Sequence, residues 1–203
     1  MADSTGTFLL GPDSGRVLIK TGRAGLAARA GHDLTIEVTR WSARVTVPEA
    51  GDGAGEVAAA SVTADLDLGS LAVREGAGGA KPLTDKDRRE IESTARKILG
   101  QGVQATAVFT STRVIASGGG GASGGAGASG GAGAIEGTVT LNGRSRAVRL
   151  AVASPAAGRY RGTVTVKQTD FGITPYTGFF GALKLRDEIG VEFEADLSRA
   201  ARE

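Results

Sequence analysis

An apolar alternation of period two runs through most of this chain and limits what it can fold into. Successive side chains of an extended strand point to opposite faces, so alternation marks a sheet with one buried side. Residues 34–47 show it most clearly. Leu34, Ile36 and Val38 share one parity, whereas Trp41, Ala43, Val45 and Val47 share the other. The change of parity at Thr39-Arg40 predicts a bulge or bend within one long strand, which Pro48 ends. Residues 57–68 repeat the pattern, with Ala58, Ala60, Val62, Ala64, Leu66 and Leu68 on one face.

Further strands are predicted over 16–20, 103–116, 135–141, 145–153, 160–167 and 187–197. The third-from-last pair is joined by Asn142-Gly143, a strong hairpin signal. In 103–116, Val103, Ala105, Ala107 and Phe109 lie on one side, and in 187–197 the buried parity holds Val191, Phe193, Ala195 and Leu197. Turns are expected at 11–15, 49–55 and 154–158, and loops at 76–80 and 171–181. Residues 25–30 read as a short helical turn ending at Gly31. One helix is convincing. Thr84-Asp85-Lys86-Asp87 forms a capping box with Asp in place of Glu, and Ile91, Ala95, Ile98 and Leu99 make an apolar stripe. Arg96 and Lys97 suit its negative end, and Gly100 suits its C-cap. Seven or eight strands, one main helix and a helical turn point to a mainly β, antiparallel sandwich or up-and-down barrel, expected as a single domain over 1–203. A barrel of about eight strands is wide enough for its own side chains or one small ligand.

Composition removes several kinds of chemistry. No cysteine is present, which excludes disulfides, thiolate metal sites and a cysteine nucleophile. A single histidine, His32, excludes a multi-histidine metal centre, and no metal or cofactor is expected. Lys and Arg total 24 against 22 Asp and Glu, a net charge of +2 with no basic footprint for nucleic acid. No apolar run approaches the ~20 residues of a membrane-spanning helix. Residues 1–10 lack a cationic start before an apolar stretch, so a soluble, cytoplasmic chain is expected. Glycine occupies 33 positions, ten of them within residues 117–134. That Gly/Ala/Ser tract reads as a flexible insertion. Gly125, Gly127 and Gly130 match G-x-G-x-x-G, but no strand-helix-strand unit surrounds them and a glycine tract produces the match by chance.

Four sequence features set candidate sites. Residues 171–180 hold Phe171, Tyr176, Phe179 and Phe180, and read either as an apolar lid over a cavity or as a plug at one barrel end. Trp41 reads either as lumen wall or as ordinary core. Arg144, Arg146 and Arg149 flank the hairpin and suit either a phosphate headgroup or a solvated face. His32 beside Asp33 could form half of an acid-base site, or a junction that satisfies backbone groups.

Four segments in order resemble one known family. They are Leu141-Asn142-Gly143-Arg144 continuing to Leu150, Gln168-Thr169-Asp170-Phe171-Gly172-Ile173, Gly31-His32-Asp33, and Asp67-Leu68-Gly69-Ser70-Leu71 followed by Leu83 to Ile91. Together they resemble the YceI-like, or polyisoprenoid-binding, domain over about residues 7–198. Gln168 stands where the family pattern carries Arg, and the glycine tract is no part of the family core. The resemblance implies an eight-stranded antiparallel lipocalin-like barrel whose lumen holds an isoprenoid or a similar long-chain amphiphile. It implies a binding protein rather than an enzyme. On that basis the expected ligand-binding residues are Trp41, Phe109, Phe171, Ile173, Tyr176, Phe179, Phe180 and His32. The alternatives are a barrel enzyme using His32 as acid or base, and a stress or interaction domain with a filled core. Self-association as a homodimer is compatible with each.

Overall fold

The computed structural model describes residues 5–48, 60–99, 105–116 and 131–203. The expected turn at 49–55, Ala58, Gly100, Val103 and residues 117–130 of the glycine tract lie outside the described residues. In chain order the elements are β1 Gly6–Leu10, β2 Gly15–Lys20, β3 Arg23–Ala24, β4 Asp33–Val38, β5 Trp41–Val47, β6 Ser61–Asp67, β7 Leu71–Ala77 and α1 Asp85–Leu99. After the helix come β8 Thr106–Ala116, β9 Gly131–Leu141, β10 Arg144–Ala156, β11 Arg159–Lys167, β12 Thr177–Gly178, β13 Leu183–Leu185, β14 Glu188–Asp196 and β15 Ala201–Arg202.

Twelve strands make one antiparallel sheet in the order β15-β1-β5-β6-β8-β9-β10-β11-β14-β2-β4-β7, while β12, β13 and β3 form a small second sheet. The expected eight strands become twelve because three long ones bend and β15 adds a short strand beside β1. β1 passes into β2 through a turn in which the Ser14 backbone N–H donates to the Gly11 carbonyl at 2.9 Å. β4 passes into β5 at Thr39-Arg40, where the parity of the sequence changes. β6 passes into β7 through a 3-10 turn, Leu68–Ser70, whose Asp67 cap accepts from the Gly69 N–H at 2.7 Å. Two of these bends meet. Ser70 is buried, accepts the Arg40 N–H on its hydroxyl at 2.9 Å, and accepts the Thr39 hydroxyl on its carbonyl at 2.7 Å. Since β4 and β5 lie near opposite ends of the strand order yet adjoin in the chain, the bend at Thr39-Arg40 draws those ends together and the sheet curls on itself.

The curl leaves β7 as an edge, and an uncovered edge exposes unpaired backbone groups. Helix α1 covers it with side chains. Glu92 accepts the Val73 N–H at 2.9 Å, Arg88 donates to the Arg74 carbonyl at 2.6 Å, and Arg96 donates to the Gly69 carbonyl at 3.1 Å. The capping box holds as read: Thr84 N–H donates to Asp87 at 2.9 Å and Asp87 N–H returns to the Thr84 hydroxyl at 3.2 Å. The Asn142-Gly143 turn has φ of 53° and 69°, the left-handed pair that a two-residue hairpin needs.

Three expectations need correction. The tract was read as insertion as far as residue 134, but Gly131–Leu141 is strand throughout. Gly131 to Ala134 pair with β10, and Gly133 and Ala134 also pair with Ala116 and Ile115 of β8. Ladder hydrogen bonds need only backbone, so two flanking strands hold a segment with almost no side chains. The turn expected at 154–158 is smaller, because β10 continues to Ala156. β7 runs to Ala77, into the loop expected at 76–80, and β1, β7, β3, β12, β13 and β15 have no predicted counterpart, being short runs beside turn residues.

Most buried side chains form one cluster that includes Val17, Leu34, Ile36, Val38, Leu68 and Phe171. Phe8, Leu10 and Leu197 form a second, smaller cluster. Among the described residues, no helix is long and apolar enough to cross a membrane.

Candidate functional site

The inner face of the curled sheet does not close onto itself. It surrounds a cavity of about 1140 Å³. Alternate residues supply the wall, as the pleat requires: Ala43 and Val45 from β5, Val62, Ala64 and Leu66 from β6, Val164 and Val166 from β11, Val191 and Phe193 from β14. Apart from Phe193 these are small or aliphatic groups, and the β6 positions are only half-buried because their inner surfaces face the cavity rather than packed atoms. Helix α1 adds Ile91, Thr94, Ala95, Ile98 and Leu99, so the apolar stripe read from the sequence lies against the cavity.

Two glycines keep the space open. Gly162 is the register partner of Phe193, and a Cβ there would lie 2.4 Å from the Phe193 ring and 2.7 Å from the Ala151 carbonyl oxygen. Gly137 would place a Cβ 2.6 Å from the Phe109 ring. Each phenyl ring therefore lies flat over a bare stretch of the neighbouring strand. With a larger residue beneath it, the ring would have to swing into the lumen.

Of the expected ligand-binding residues, Trp41, Phe109, Phe171, Ile173, Tyr176 and His32 line the cavity. Phe180 does not. Its φ of 54° turns the ring outward and it is fully exposed. The Phe179 side chain lies outside what is described. Tyr160, Phe193, Leu83 and the helix residues also line the cavity but were not singled out. The alternation carried the signal for Tyr160 and Phe193; for the helix, the sequence could not say what its stripe faces.

Arg23, Gly31, His32, Lys81, Leu83, Tyr176 and Leu183 gather where β2, β4 and β7 end. Here His32 and Asp33 part company. His32 Nε2 lies 2.9 Å from the Lys81 carbonyl oxygen, while Asp33 accepts the Arg23 backbone N–H at 2.8 Å. Neighbouring residues in an extended strand project to opposite faces, so the two side chains form no acid-base pair. The hairpin arginines lie apart from the cavity wall: Arg149 pairs with Glu136, and Arg146 donates to the adjacent Ser145 carbonyl at 2.9 Å.

The carboxylates with altered acidity are structural. The Arg40 guanidinium and the Gly69 N–H hold Asp67 below the usual range, and Arg16 does the same for Glu194. Asp87, Asp187 and Asp196 are lowered by Thr84, Thr169 and Ser198 at turns and caps. Among the described residues, no group of three or more acidic or imidazole ligands could hold a metal, and no buried side-chain nitrogen or oxygen lacks a hydrogen-bond partner. The wall itself is mainly apolar, with Thr94, Gln168, Asp87 and Glu90 among its few polar groups.

Comparison with known proteins agrees with this geometry. A family model described as the YceI-like domain matches residues 19–197. Among solved structures, Burkholderia cenocepacia BcnA is similar with a TM-score of 0.55 at 16% identity, covering 89% of this chain and 94% of that one. A polyisoprenoid binding domain from Saccharophagus degradans, implicated in plant cell wall breakdown, has a TM-score of 0.51 at 12% identity, covering 95% and 99%. No curated protein sequence is a match.

Proposed function

This chain belongs to the YceI-like domain family, and from that premise we propose that it binds an isoprenoid or a similar long-chain apolar lipid inside the curled sheet. The observation that carries the reading is the open cavity of about 1140 Å³ with its aliphatic wall. That volume has room for a branched chain of several five-carbon units. An interaction domain with a filled core would have no such space.

The finer architecture is one ring. Taking β1 with β2, β4 with β5 and β6 with β7 as single bent strands, these three with β8, β9, β10, β11 and β14 make eight around the cavity, and β15 is an added short strand beside β1. With the β7 edge covered by α1, such a ring suits a wall that must hold its shape around a ligand.

Burial of the tail is worth about 0.8 kcal/mol per CH₂ against water. A membrane offers the tail nearly the same burial, so the difference between protein and bilayer rests on shape and on the mouth.

Native mass spectrometry of the purified chain should show a retained apolar adduct. The delipidated chain should bind a fluorescent prenyl lipid saturably. Ala64→Trp, which fills the lumen between Phe109 and Ala43, should abolish that binding. An empty chain that ignores prenyl lipids would refute the proposal.

A further inference from the structure

Two large apolar side chains are left in full contact with solvent beside the mouth. Leu26 is 100% exposed and Phe180 is 112% exposed. They stand on neighbouring segments, joined by the Ala27 N–H donating to the Ala182 carbonyl at 2.9 Å and by the pairing of β13 with β3. Phe180 sits at φ 54°, ψ 35°, a left-handed conformation that is costly for a bulky side chain. A strained backbone that pushes an aromatic ring into water gains nothing from packing in this chain.

The segments that carry these two residues are rich in cations; Arg23 pairs with Asp33 at 3.8 Å, and Asp187, just beyond Arg186, is held by Thr169. Residues 21–31 and 174–186 contain Arg23, Arg29, Lys184 and Arg186 and no Asp or Glu, in a chain whose net charge is only +2. Arg23 is tied to the Gly31 carbonyl at 2.6 Å. Lys184 lies between Leu183 and Leu185, which face the cavity, and so it points outward. The same two segments thus line one end of the cavity with Gly31, Tyr176 and Leu183, and carry exposed Leu26, Arg29, Phe180, Lys184 and Arg186.

We propose that this surface docks on an anionic lipid bilayer, with Leu26 and Phe180 inserted among the headgroups and Arg29, Lys184 and Arg186 against their phosphates. Apolar tips with basic flanks are the pattern of a protein that lies on a membrane without crossing it. Docking there sets the mouth against the bilayer, so a lipid tail can pass between bilayer and cavity with little exposure to water. The surface is independent of what fills the cavity.

The test is flotation of the full chain with vesicles of equal parts phosphatidylcholine and phosphatidylglycerol, and with pure phosphatidylcholine. Wild type should float with the anionic vesicles, more weakly with the neutral ones, and less at high salt. Phe180→Gly and Leu26→Ser should each weaken partitioning about 10-fold or more. Glycine suits the left-handed φ at 180, so Phe180→Gly should melt no lower than wild type. Lys184→Glu should weaken binding to the anionic vesicles selectively. Prenyl-lipid binding in detergent solution should survive in all three variants. If it fails in wild type while flotation persists, the proposed ligand falls and the docking stands. Wild type that stays behind with both vesicles would overturn the docking, as would Phe180→Gly and Leu26→Ser floating like wild type. Self-association through this face without flotation would also overturn it, assigning the face to a second copy.

Discussion

Gly162→Ala gives the sharpest test of how the lumen is kept open. In a strand that tolerates it, glycine to alanine is normally favourable by about 0.4–1 kcal/mol, because the unfolded chain loses freedom. At position 162 the new Cβ would lie 2.4 Å and 2.5 Å from two Phe193 ring carbons and 2.7 Å from the Ala151 carbonyl oxygen. An ordinary contact is about 3.5–4.0 Å, so roughly 1 Å must be found from a ring and from a backbone oxygen. The Phe193 ring lines the cavity and can give way into it, whereas the oxygen moves only with its strand. Overpacking of this kind costs about 1–3 kcal/mol, which outweighs the usual gain. We expect a net loss of about 1–2 kcal/mol, or a Tm lower by roughly 2–8 °C for a chain of this size.

Gly190→Ala is the control. It lies in β14 as Phe193 does, but its nearest neighbour would be the Lys20 Cβ at 3.6 Å, so it should be neutral or slightly stabilising. Thermal unfolding followed by circular dichroism reads both, and a prenyl-lipid titration reads the narrowed lumen. Adding Phe193→Leu to Gly162→Ala should recover part of the loss, beyond the sum of the two single changes, because the smaller side chain vacates the contact. Gly162→Ala melting together with Gly190→Ala, or strict additivity with Phe193→Leu, would refute the argument.

Other outcomes follow from the same geometry. Glu92→Ala should cost about 1–3 kcal/mol by stranding the Val73 N–H at the sheet edge, seen as a lower Tm and faster amide exchange at Val73. Thr84→Ala removes the N-cap of α1 and should cost about 1 kcal/mol, read by chemical denaturation. Acid should destabilise the fold through Asp67 and Glu194. Each binds its proton less tightly when folded, so its contribution is complete above the unfolded value of about 4 and is lost as pH falls through the lower folded value. Tm measured from pH 6 downward should therefore begin to fall near pH 4, and Asp67→Asn should flatten part of that slope. A Tm unchanged down to the lowest pH would contradict these assignments.

The mouth shows where legibility in the sequence ended. Phe171, Ile173 and Tyr176 were grouped with Phe179 and Phe180 because they are near each other in sequence and apolar, and the first three do line the cavity. Phe180 lies outside it because its backbone takes a left-handed turn that no side-chain pattern signals. His32 and Asp33 looked like a pair for the same reason of nearness, yet the extended backbone at β4 sends them to different partners.

What the sequence determined alone is what local physics controls. Alternation specifies which face of each strand turns inward, Thr84 and Asp87 start the helix, Asn142-Gly143 makes the hairpin, and the parity change at Thr39-Arg40 marks the bend. The absence of cysteine and the single histidine remove whole classes of chemistry. Tertiary structure alone decided the rest. That the bend at Thr39-Arg40 meets Ser70 and draws the two ends of the sheet together depends on contacts 30 residues apart in the chain. That glycines 137 and 162 lie beneath the rings of Phe109 and Phe193 depends on which strands become neighbours. Both are properties of register, and register is set by the whole sheet at once rather than by any one strand. The open lumen is their joint result, and no composition count contains it.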